Sequence, residues 1–163
     1  MFEFLTERRV HNEANILLFT IILSIVGMIF AGILTFEEIT YDPLNPSHLP
    51  LCQVGGWWDC GQVIHGPYNN LFGIPLAYLG LLGFVLILLF SVIRLVHWGR
   101  DYTKNFFLLI LLFAFIGAII SWYLTYLELF VIHKICPYCF TSFLLITVIL
   151  IVDLYGFLKG SRE

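Results

Sequence analysis

Four apolar stretches, each close to the roughly 20 residues that a helix needs to cross a bilayer, constrain this chain more than any motif in it. They run about Ala14 to Phe36, Leu71 to Val96, Phe106 to Ile132 and Tyr138 to Leu158. With 60% of the 163 residues hydrophobic and only 12% charged, the composition lies well outside the soluble range of about 45–50% apolar. The expected fold is an all-α integral membrane protein. Residues 1–163 form one four-helix transmembrane bundle, and an irregular outer loop over residues 37–70 caps it.

The first stretch is too long for a signal-peptide core and lacks a small-residue cleavage site after it, so it is expected to stay as a permanent span. The basic residues set the topology. Arg8 and Arg9 precede the first span, Arg94, Arg100 and Lys104 flank the connection between the second and third, and Lys159 and Arg162 follow the fourth. From Ala31 to Ser91 there is no Lys or Arg, and the third connection carries only Lys134. By the positive-inside rule both termini and the middle connection are cytoplasmic. The first and third connections then face the periplasm, the cell exterior or an organelle lumen.

All four cysteines fall on those outward connections: Cys52 and Cys60 in one, Cys136 and Cys139 at the mouth of the last span. Disulfides persist on that side of a membrane. In Cys136-Pro137-Tyr138-Cys139 the two sulfurs are one helical turn apart, within disulfide reach. If Cys136 caps the helix, Pro137 takes the first helical position, where its missing N–H costs nothing. The Cys136 sulfur then faces the partial positive charge of the helix start, with His133 and Lys134 just upstream, and each favours the nucleophilic thiolate. Lys134 also reads as a snorkelling side chain at the membrane surface. A bridge that closes so short a loop restrains the unfolded chain little, so the CxxC reads as redox-active rather than as a staple.

In the loop, Pro43, Pro46 and Pro50 break the chain into turns, and Gly55, Gly56 and Gly61 surround the second cysteine. Such a segment can carry a sulfur between partners, although turns alone would account for the same residues. Trp57 and Trp58 adjoin Cys60, and Tyr68 precedes the second span. Their flat rings suit an interfacial belt and equally the roof of a lipid-accessible pocket.

Other chemistry is less well served. Four thiolates could hold zinc, but zinc knuckles usually pair two short spacings, whereas seven residues separate Cys52 from Cys60; no metal is expected. Asp59 and Glu128 read as carboxylates near the interfaces, Asp153 as one near the cytoplasmic end, and His48 and His65 as solvated loop residues. No phosphate-binding loop or basic stripe appears, so no nucleic-acid partner is expected.

Taken in order, Cys52 and Cys60, the run Cys60-Gly-Gln-Val-Ile-His-Gly-Pro-Tyr68, Leu71-Phe-Gly-Ile-Pro-Leu-Ala77 and Cys136-Pro-Tyr-Cys139 closely resemble the vitamin K epoxide reductase (VKOR) family in its prokaryotic-type form. The likeness covers nearly the whole chain. It implies a membrane oxidoreductase that takes electrons from a separate thioredoxin-like (DsbA-like) dithiol protein and passes them to a quinone of ubiquinone, menaquinone or vitamin K type. Cys52 would exchange with the partner, Cys60 would relay to Cys136, and Cys139 would lie beside the quinone. Asn69 would donate a hydrogen bond to a quinone oxygen, and Trp57, Trp58 and Phe143 would stand around the ring.

The chain departs from the family at two places. His65-Gly66 replaces a serine found in many members, and Phe143 stands where vertebrate enzymes carry a tyrosine, which favours quinone reduction over epoxide chemistry. The chain also ends soon after the fourth span, which implies that the reductant is a separate protein. DsbB-like proteins share the chemistry but carry their CxxC in the first outer loop. Reduction of vitamin K quinone or its epoxide is the alternative within the enzyme class. A non-catalytic membrane protein with two structural disulfides is the alternative outside it.

Overall fold

The computed structural model describes residues 2–40, 53–55, 57–60, 63, 66–71, 73–97 and 103–161, without side-chain detail for 2–13, 53–55, 58, 59, 103, 104, 160 and 161. Cys52, the prolines at 43, 46 and 50, Gly56, Gly61, His48, His65, Arg100 and Arg162 lie outside these residues. Four long helices dominate: α1 (Phe2–Thr40), α2 (Leu76–Val96), α3 (Thr103–Leu127) and α4 (Pro137–Ser161). Their membrane-crossing parts are Ala14–Thr40, Leu76–Val96, Asn105–Ile132 and Pro137–Lys159.

The helices pack in a ring, α1 on α2, α2 on α3, α3 on α4 and α4 back on α1. Each contributes to one buried core: Ala31 from α1, Phe84 and Ile87 from α2, Ala114 from α3, Ile146 and Ile149 from α4. In lipid such association depends on close packing more than on hydrophobicity, and Gly27 provides it. A Cβ at Gly27 would lie 2.3 Å from the Phe84 ring. The outer faces expose Ile22, Leu82, Leu108 and Ile151, as lipid-facing surfaces do. Asp153, toward the end of α4, is fully buried, and the Thr20 hydroxyl donates to its Oδ1 at 3.0 Å.

Three boundaries differ from expectation. The first helix does not stop at Phe36 but carries Glu37 and Glu38 through to Thr40, and at its other end it runs on from Phe2 rather than Ala14. The second starts at Leu76, not Leu71, because Asn70–Leu71 (β3) pairs with Ile74–Pro75 (β4) in a tight hairpin. Gly73 turns it with φ +82°, a left-handed conformation that glycine adopts without strain. The outer loop is not wholly irregular either, since Gln53–Gly55 (β1) and Trp58–Asp59 (β2) form an antiparallel pair.

The third helix ends unusually. Glu128–Ile132 winds into a π turn, and His133 closes it in the left-handed region (φ 56°) with its N–H on the Glu128 carbonyl. Lys134 N–H bonds the same carbonyl at 3.2 Å. Single π turns of this kind occur frequently at functional sites.

Candidate functional site

The start of α4 is built as its sequence suggests. Cys136 precedes Pro137, its carbonyl accepts the Phe140 N–H at 2.9 Å, and its Sγ accepts the Cys139 N–H at 3.3 Å. The sulfur therefore caps the helix, against its positive end. The outer loop reaches the same point: Ile135 N–H donates to the Trp57 carbonyl at 2.9 Å, which fixes the β1–β2 hairpin against the chain entering α4. Cys60 follows that hairpin, and its Sγ lies 3.0 Å from the Cys136 Sγ across 76 residues of sequence. Both residues are completely buried. Cys60 is held in a disulfide, whereas Cys136 and Cys139 are free. A disulfide sulfur has no proton to give, so the contact sets a free thiol against a disulfide, the geometry from which thiol exchange starts.

Glu128 completes the cluster. Sequence reasoning left it as an interfacial carboxylate, but it is only 3% exposed. The π turn keeps its side chain turned in toward the cysteines. Its Oε2 accepts the Cys136 N–H at 3.2 Å, and it lines the same cavity as Cys139. The signal that could have found it is a lone acidic residue within an apolar span, since ionisable groups at membrane depth usually have a function.

Behind Cys139 opens a cavity of about 140 Å³. An apolar cavity of about 150 Å³ holds a benzene-sized ring. Its walls are Ala31 and Leu34 of α1, Gly80, Gly83 and Phe84 of α2, Phe113 and Gly117 of α3, and Ile146 of α4, with Val63, Tyr68 and Asn69 from the outer connection. A Cβ at Gly80 or Gly83 would meet nothing within 4 Å, so the space runs up to the α2 backbone. The polar groups gather near the outer end, where Cys139, Glu128 and Asn69 line the wall. An apolar slot with a few convergent polar groups suits a flat ring carrying two carbonyl oxygens, and the residues present therefore fit a quinone.

The other proposed ring contacts are placed differently. Phe143 is absent from the cavity lining and packs on Trp122 and Phe140, with ring centroids 5.5 and 5.8 Å away. Trp57 is 67% exposed and meets the site through its backbone carbonyl. The Trp58 side chain and Cys52 are outside the described residues. His133 is exposed, with its ring on the Val131 carbonyl at 3.2 Å. Among the described residues no three His, Cys, Asp or Glu side chains are grouped to hold a metal ion.

The vitamin K epoxide reductase family matches residues 18–154, a span that takes in the second and third membrane helices, most of the first and fourth, the outer connection and the CxxC. The chain thus belongs to the vitamin K epoxide reductase family, whose members are multi-pass membrane oxidoreductases linked in general to quinones or vitamin K.

Proposed function

We propose that this protein is a quinone-coupled thiol–disulfide oxidoreductase that supports disulfide formation outside the cytoplasm. A reduced thioredoxin-like protein delivers two electrons to the Cys52–Cys60 pair and leaves as a disulfide. The freed Cys60 thiolate attacks Cys136 of a Cys136–Cys139 disulfide, which releases Cys139. Cys52 then attacks Cys60, restoring the loop disulfide and freeing Cys136. A bound quinone supplies the final acceptor, taking two electrons and two protons as the Cys136–Cys139 disulfide re-forms. Strong thiol oxidants sit near about −120 mV, and recharging them needs an acceptor more oxidising still, a condition that a respiratory quinone meets.

The observation that carries this reading is the 3.0 Å separation of the Cys60 and Cys136 sulfurs, with Cys139 on the cavity wall. A loop disulfide at Cys60 set beside free thiols at Cys136 and Cys139 is an arrangement through which the relay would pass. The absence of lysine and arginine from Ala31 to Ser91 supports an outward-facing sulfur cluster with both termini cytoplasmic.

The decisive experiment replaces Cys52 or Cys139 by Ala and maps peptides under non-reducing conditions. A Cys60–Cys136 disulfide is expected to accumulate, because the sulfur that would resolve it is gone. Finding no such species in either variant, even during turnover, would sink the relay.

A further inference from the structure

Reducing a quinone consumes two protons as well as two electrons, and the sulfur relay accounts for the electrons alone. We propose that Glu128 is the base that takes the Cys139 thiol proton and hands it to the quinone; this rests on the quinone-coupled reading above. The carboxyl lines the cavity in which the acceptor would lie, and Cys139 lines the same cavity. Its hydrogen bond from the Cys136 N–H at 3.2 Å holds the group beside the CxxC at the cavity wall. A merely solvated carboxylate would not be 3% exposed at membrane depth.

The S–H bonds of Cys136 and Cys139 break and one S–S bond forms between them. The two electrons and two protons released end on the quinone as quinol. Glu128 carries the Cys139 proton and is returned unchanged, while the Cys136 thiol provides the second proton.

The groups facing Glu128 are few. From α4 they are Cys136 and Cys139, and from the outer connection Tyr68 and Asn69 reach the same wall. From α1, Glu38 is engaged by the Asn69 amide, and Glu37 is buried next to it in the chain. The α2 residues on the wall carry no titratable side chain.

Glu128→Gln keeps an oxygen for the Cys136 N–H but cannot take a proton. With a small dithiol as reductant, quinone reduction is expected to fall about 100-fold, the usual scale of general-base catalysis, and to lose the decline toward acid pH that protonation of a carboxylate base imposes. Glu128→Asp should recover part of the rate. A second readout needs no quinone: alkylation of Cys139 in the reduced protein by iodoacetamide should slow severalfold in Glu128→Gln. A carboxylate that only repelled the sulfur's charge would instead leave alkylation faster once neutralised, and that result would overturn the inference. So would Glu128→Gln turnover within a few-fold of the parent at every pH, or Asp no better than Gln. Should Gln fail to fold, Asp against Asn at the same position makes the same comparison. A parent protein that reduces no quinone at all would remove the underlying reading as well.

Discussion

The Asn69 amide is anchored by Glu38: its Nδ2 lies 3.2 and 3.1 Å from the two carboxylate oxygens. The amide so anchored also lines the cavity. Glu38 belongs to the last turn of α1, so that helix, rather than the outer connection that carries Asn69, sets the amide's direction.

Glu38→Ala is therefore expected to raise the KM for quinone by up to about tenfold, from the loss of a charge-assisted hydrogen bond of about 1.5 kcal/mol, with a smaller change in kcat. Steady-state kinetics with a dithiol and a soluble quinone analogue would show it. An unchanged KM would mean that Asn69 does not contact the acceptor.

Two glycines on neighbouring faces should respond in opposite ways. Gly27→Ala puts a methyl 2.3 Å from the Phe84 ring. Overpacking of this kind costs about 1–3 kcal/mol, so thermal unfolding in detergent should occur at lower temperature. Gly83→Leu adds its side chain where nothing lies within 4 Å, on the cavity wall. Its stability should hold or rise while quinone affinity falls, measured by fluorescence titration. Unaltered affinity would place the quinone elsewhere.

Cys139→Ala should abolish quinone reduction yet leave Cys52 able to form a mixed disulfide with a thioredoxin-like partner, since the two events use different sulfurs. Cys52→Ala should lose turnover with the protein substrate, while a small dithiol should still reduce the Cys136–Cys139 disulfide directly. Retained quinone turnover in Cys139→Ala would show that another sulfur is terminal.

A membrane-impermeant maleimide should label reduced Cys52 in intact cells. Labelling that appears only after the membrane is broken would reverse the proposed orientation.

The spans were legible because length and apolarity are properties of the sequence itself. Their ends were less so, for reasons that particular residues make plain. Leu71, Phe72 and Ile74 continue the apolar run of the second span, and hydropathy gives no sign that Gly73 turns the chain into a hairpin. Glu37 and Glu38 look like the end of a span, yet helix continues through them, which brings Glu38 to Asn69. The helix cap at Cys136 followed from Pro137. Its contact with Cys60 could not follow from spacing, because it depends on the backbone bond between Ile135 and Trp57. Glu128 was hidden by the π turn, which no residue in 128–132 announces.

A junction at which both sulfurs are wholly buried is also an insulated one. A dissolved reductant therefore meets the CxxC at Cys139, which is only partly buried, rather than at the Cys60–Cys136 contact. Under the proposed relay, a protein that docks at the outer loop is the reductant whose electrons pass through that contact.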